Sequence, residues 1–198
     1  MAKYILLAAF ILDFCFKQQR FLNSLTKLDL AQNELKSLPP EIGNLNSLKS
    51  LNLYKNQLKS LPSAICEIKF LKKLNLSGTL LTSITSNLCV QLQCLTNLSL
   101  SLNRIVELPT EIGNLSSLEV LNLSKNMLET LPASLGNLKL LKELDLSQNE
   151  LKSIPEEIGD LASLNKLDLS RNKLKSLPAA LGSLKLLKEL DLFQNKLK

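Results

Sequence analysis

One frame, L-x-x-L-x-L-x-x-(N/T)-x-L, recurs through the chain from residue 25 onward. Its copies begin at Leu25, Leu48, Leu71, Leu95, Leu118, Leu141, Leu164 and Leu187, at steps of 23 residues with a single step of 24 after Leu71. No copy is long enough to bury its own apolar face. The copies must therefore stack on one another in chain order, and the product is a solenoid. A solenoid presents a long continuous surface, which favours binding over catalysis.

Counted from the first leucine, positions 1, 4, 6 and 11 are apolar in every copy. The alternation at 4 and 6 has a period of two, which predicts a short strand over positions 2–8. Strands of successive copies advance the same way and are expected to be parallel. Position 9 is Asn33, Asn56, Asn103, Asn126, Asn149, Asn172 and Asn195, with Thr79 in the third copy. An amide side chain has two donors and an acceptor, so a buried column of them can bond the backbone of its own turn and of the neighbouring copy. Pro39, Pro62, Pro109, Pro132, Pro155 and Pro178 open the segment P-x-x-I/L-G-x-L. Proline suits the start of a helix and glycine its stop, which predicts a short helix or turn on the outer side. The third copy, residues 71–94, is irregular. It is one residue longer, with Thr85 in place of proline and Cys89 in place of glycine, as Cys66 is in the second copy.

Hydrophobic residues make up 45% of the 198 and aromatics only 4%, so the core of this single domain must be aliphatic. Burying one leucine is worth about 1.5–3 kcal/mol. The chain has no histidine, which removes His-based nucleophile activation, His general bases and Cys/His zinc sites. Its cysteines, Cys15, Cys66, Cys89 and Cys94, form no C-x-x-C pair and do not cluster at the ends. That pattern favours reduced thiols and a cytoplasmic location. No cofactor and no metal site is expected. The net charge of +6 lies entirely in residues 1–99, but the lysines are scattered among Leu, Ser and Asn without stacking aromatics. This argues against nucleic acid and for a mild preference for acidic partners.

The copies LTKLDLAQNELKSLPPEIGNLNS and LKELDLSQNELKSIPEEIGDLAS carry the fuller frame L-x-x-L-x-L-x-x-N-x-L-x-x-L-P-x-x-I-G-x-L-x-x. It resembles the Ras-group leucine-rich repeat, the class of Shoc-type scaffolds, plant intracellular Ras-group proteins, Erbin and Scribble, with similar copies in leptospiral proteins. The resemblance covers residues 25–198. It implies an α/β fold: a right-handed leucine-rich-repeat solenoid, or horseshoe, with about eight parallel strands on the concave side and short helices or turns on the convex side. It also implies a non-enzymatic scaffold in intracellular signalling, with Ras-like GTPase or phosphatase partners.

Residues 1–24 depart from the frame. An apolar run from Tyr4 to Leu12 follows Lys3. It reads as a cap over the first copy, either an amphipathic helix or a degenerate copy with Ile5, Leu7 and Leu12 at positions 4, 6 and 11. A signal peptide is the alternative, and would make the protein an exported recognition protein or receptor fragment. The run is too short to span a bilayer. The expected organisation is a cap at 1–24 and a repeat domain at 25–198, with seven full copies and a partial eighth. A further alternative makes these repeats the targeting arm of a larger enzyme.

Side chains at positions 3, 5, 7 and 8 are expected to line the inner face. Position 7 is mostly serine, which predicts a polar trough open to a large partner, with Tyr54 and Phe193 toward its ends. Aromatics and buried anchors dominate binding energy, so Tyr54, Leu102, Val120 and Phe193 are expected anchors. Charged and polar contacts are expected from Lys27, Lys49, Lys55, Lys73 and Asn75, then from Asn122, Glu143, Asp145, Lys166, Asp168 and Asp191. The column Asp145, Asp168, Asp191 has the residue type for acid/base chemistry or a hard cation, but its open setting favours a recognition surface. The partner is expected to be another protein, with no membrane span and no small-molecule substrate.

Overall fold

The computed structural model describes residues 24–198, and the cap expected at the amino end lies outside them. Eight parallel strands form one open sheet in chain order: β1 (Lys27–Asp29), β2 (Ser50–Asn52), β3 (Lys73–Asn75), β4 (Asn97–Ser99), β5 (Val120–Asn122), β6 (Glu143–Asp145), β7 (Lys166–Asp168) and β8 (Glu189–Asp191). Their register keeps like positions side by side, Leu28 against Leu51 and Asp145 against Asp168.

Regular strand covers only positions 3–5, less than the expected 2–8. The ladder itself runs further. Lys49 N donates to Thr26 O at 2.8 Å, Leu30 N to Asn52 O at 2.8 Å and Gln32 N to Tyr54 O at 2.6 Å. What ends the strand is position 8, where the backbone turns left-handed: φ is +53° at Lys55, +56° at Leu102 and +66° at Gly78. Only Gly78 has a residue type suited to that turn. The others carry a cost of roughly 1–2 kcal/mol each, tolerated because the turn delivers position 9 into the core.

There the amides form the expected ladder. Asn126 Nδ2 donates to Leu123 O in its own copy at 3.0 Å and to Leu100 O in the preceding one at 2.9 Å. Its Oδ1 accepts from Ile105 N at 3.0 Å. Among the described residues no buried side-chain nitrogen or oxygen is left without a partner.

The outer segments are 3-10 turns, for example Pro40–Asn44 and Thr110–Asn114, each following an extended proline. Glycine is not the stop expected of it. It sits inside the turn, where the next copy's backbone comes close. A Cβ on Gly43, Gly113, Gly136 or Gly159 would meet the carbonyl oxygen of Ala64, Ser134, Glu157 or Ala180 at 2.3–2.6 Å. The irregular third copy forms the one α-helix among the described residues, α1 (Ser86–Gln91). Thr85 caps it by accepting from Leu88 N at 3.4 Å, so a capping hydroxyl stands where the other copies use proline. Cys89 lies within this helix and Cys66 in the preceding copy's outer turn, Ser63–Glu67, both as buried free thiols. Burial pushes the Cys89 thiol up to about 12, with Glu111 and Cys66 adding to the shift, and burial also raises Cys66.

From the second copy to the seventh, every leucine and isoleucine at positions 1, 4, 6 and 11 is buried. Strands stack at about 4.8 Å, whereas helical turns need more width, so the sheet takes the inside of the bend. Among the described residues no helix is long and apolar enough to cross a membrane.

Candidate protein-interaction surface

Position 5 carries the side chains at the centre of the inner face, and the fold ties each Asn or Asp there down. The Oδ1 atom accepts from the backbone N–H two residues on: Asn52 from Tyr54 at 3.2 Å, Asn75 from Ser77 at 3.0 Å, Asn122 from Ser124 at 3.0 Å, Asp145 from Ser147 at 3.0 Å, Asp168 from Ser170 at 2.9 Å and Asp191 from Phe193 at 2.8 Å. The short polar side chain thus closes the strand's end. In the aspartate column, which the sequence marks as a recognition surface, each of Asp145, Asp168 and Asp191 is therefore oriented by the backbone. Each keeps one oxygen in the backbone, and the three do not converge into a group able to hold a metal.

The serines of position 7 depart from expectation too. Ser77, Ser124, Ser147 and Ser170 are buried. Ser124 and Ser147 also donate to Oδ1 of Asn122 and Asp145 at 2.7 Å. They are small so that the chain can turn against the next copy, and they form a floor rather than an open trough.

The charged columns differ along the solenoid. At position 2, Lys142 reaches Glu119 at 2.7 Å, and at position 3, Lys166 reaches Glu189 at 2.7 Å. Lys166, expected as a partner contact, is therefore engaged within its own sheet, and the pairing raises its pKa. These pairs are exposed, so solvent screens them and they contribute little to stability. Lys27, Lys49, Lys72 and Lys73 are exposed and have no ion pair among the described residues.

Tyr54 is half-buried, with the Lys55 ammonium 5.1 Å from its ring centre. Leu102 is 44% exposed and Phe193 61%. Leu102 sits in the left-handed turn at the strand's end. Phe193 lies in the eighth copy, two residues beyond β8. Lys27, Asn75, Val120 and Asn122 meet in a shallow hollow of about 500 Å³ that also takes in Lys73, Ser50, Asn52 and Asn97. A smaller hollow of about 130 Å³ joins Val120 and Asn122 to Glu143, Asp145, Lys166 and Asp168. Lys49, Tyr54, Lys55, Leu102, Asp191 and Phe193 line neither hollow. Positions 3 and 5 were expected on this face, yet Asp29, Ser50, Asn52 and Asn97 were not singled out from sequence as contacts, and they too line the larger hollow.

The leucine-rich-repeat family model matches residues 23–81, 93–151 and 140–197. No curated protein matches the chain. Among solved structures, a leucine-rich-repeat protein of Leptospira interrogans is 38% identical, with a TM-score of 0.87 over 91% of this chain. The ectodomain of the plant membrane receptor kinase GASSHO1/SCHENGEN3 of Arabidopsis thaliana, solved in complex with CASPARIAN STRIP INTEGRITY FACTOR 2, is 34% identical, with a TM-score of 0.81 over 92%. The chain spans 45% of the leptospiral structure's length and 22% of the plant ectodomain's. The stacked parallel strands, the asparagine ladder and these matches together place the chain in the leucine-rich-repeat family.

Proposed function

We propose that the chain is a non-enzymatic module that holds a partner protein along its inner sheet face. The observation that carries this reading is the unbroken register of eight strands. It lines up side chains of like position into columns spanning about 34 Å, long enough for a standard interface of about 800 Å² per partner. The Ras-group pattern of the copies supports a scaffold role in cytoplasmic signalling, with a Ras-like GTPase or a phosphatase as partner. The likeness to a receptor ectodomain favours a second reading, an exported recognition protein. The amino-terminal sequence of the mature protein separates the two.

Affinity capture with mass spectrometry tests the module itself. Tyr54→Ala with Asp168→Asn should lose most of the captured partner, because both residues lie on the sheet side and Asn can keep the turn bond to Ser170. Glu67→Lys with Glu157→Lys, on the outer turns, should retain it. Capture lost in the outer pair and kept in the inner pair would contradict the proposal.

A further inference from the structure

Resting on the protein-binding reading, we infer that the inner face of the first five copies takes an extended acidic segment of the partner, held by Lys27 and Lys73 with the amides of Asn75 and Asn122. The turn bond at position 5 sets the chemistry. It consumes Oδ1 whether the residue is Asn or Asp, so the residue type decides what is left. Asn75 and Asn122 keep an Nδ2 donor that has no protein acceptor among the described residues, whereas Asp145 and Asp168 keep an Oδ2 acceptor. The face therefore changes polarity along its length, from free amide donors in the third and fifth copies to acceptors from the sixth onward, while Asn52 Nδ2 in the second copy is spent on Asp29 Oδ2 at 3.1 Å.

The lysines follow the same division. In the later copies the columns at positions 2 and 3 neutralise themselves through Glu119–Lys142 and Lys166–Glu189. In the earlier copies the same columns set like charges together. Lys72 N donates to Lys49 O at 2.9 Å, so those two residues are immediate neighbours, and Lys27 and Lys73 flank Ser50 in register. One carboxylate, Asp29, also lines the hollow, but its Oδ1 accepts from Ala31 N at 2.9 Å and its Oδ2 from Asn52 Nδ2 at 3.1 Å, so the ammonium groups of Lys27 and Lys73 and the free amides of Asn75 and Asn122 stay complementary to carboxylates and peptide carbonyls brought from outside. Spacing narrows the shape. Lys27 and Lys73 are two strand spacings apart, about 9.6 Å, and residues i and i+3 of a polyproline-II segment lie about 9.3 Å apart on one edge. An acidic residue at every third position fits the pair.

Fluorescence anisotropy with a labelled twelve-residue Glu-Pro-Pro repeat tests this directly, against a Gln-Pro-Pro repeat and a twelve-nucleotide RNA. The wild-type protein should bind the Glu peptide about tenfold tighter than the Gln peptide at low salt, with the margin shrinking as salt rises. Asn75→Asp turns a donor into an acceptor while keeping the turn bond, and Lys73→Gln removes one charge. Each should weaken Glu-peptide binding roughly five- to tenfold at unchanged Tm, and Lys185→Gln on the outer side should not. Equal affinity for the Glu and Gln peptides, tighter binding of the RNA, or an unaffected Asn75→Asp overturns the inference. If inner-face variants still abolish partner capture in that event, the protein-binding reading stands without it.

Discussion

The hydroxyl of Thr79 lies 2.6 Å from Oδ1 of Asn103, where the position-9 side chains of two successive copies meet. Elsewhere an amide with two protons spans two copies of backbone. Here a single hydroxyl proton serves either Asn103 Oδ1 or Leu76 O, the latter at 3.0 Å. Leu76 O is already supplied by Asn103 Nδ2 at 2.8 Å. Asn126→Ala should therefore cost about 1–3 kcal/mol, because it strips partners from buried backbone groups. Thr79→Ala should cost less. Urea unfolding of the two variants beside the wild type measures the difference, and an Asn126→Ala midpoint equal to wild type would rule out the buried ladder at that rung.

The glycines give a sharper contrast. At Gly113 a Cβ would sit 2.3 Å from Ser134 O, whereas nothing lies within 4 Å of the same position at Gly182. Gly113→Ala should destabilise by at least about 1–3 kcal/mol, since backbone rather than a mobile side chain must move. Gly182→Ala should be neutral or stabilising by up to about 1 kcal/mol through the unfolded chain. Thermal unfolding that ranks the two variants in reverse order would overturn the account of why glycine recurs.

Leu102 holds a left-handed backbone conformation with φ of +56° while nearly half exposed. Leu102→Asn should raise stability by about 1 kcal/mol, because Asn tolerates that region better. If the variant binds partner as well as wild type does, Leu102 is not an anchor.

Cys89 supplies a pH test. Its thiol is pushed up to about 12 from an ordinary value of 9.0, so the folded state favours the protonated form. The stabilisation is complete below pH 9 and is lost as pH rises through 9 toward 12, because the unfolded thiol ionises first. Cys89→Ala should flatten the fall in Tm over that window relative to wild type. Parallel curves for the two proteins would show that the thiol is not desolvated as the fold requires.

The strands, their order and the ladder were legible because one frame repeats, and Leu121 or Asn126 can be read from its place in the frame alone. What escaped was local geometry. The left-handed turn at position 8 leaves no trace in Lys55, Lys125 or Arg171, since stacking imposes it against the preference of those residues. The role of glycine was misread because close approach depends on the next copy, not on the local sequence. On the inner face, position 5 was placed correctly but its atoms were not, since only a backbone N–H two residues on decides which atom of Asn75 or Asp168 remains outward. The pairing of Lys166 with Glu189 needed the strand register as well as the charges.

Lysine footprinting of the partner complex tests the central claim most directly. The protein is acetylated with and without the captured partner, and each lysine is quantified by mass spectrometry. Binding along the inner face predicts protection of Lys27, Lys49, Lys72 and Lys73, with Lys69 and Lys185 on the outer side labelled equally in both samples. Protection of Lys69 and Lys185 with the inner lysines unchanged would contradict it.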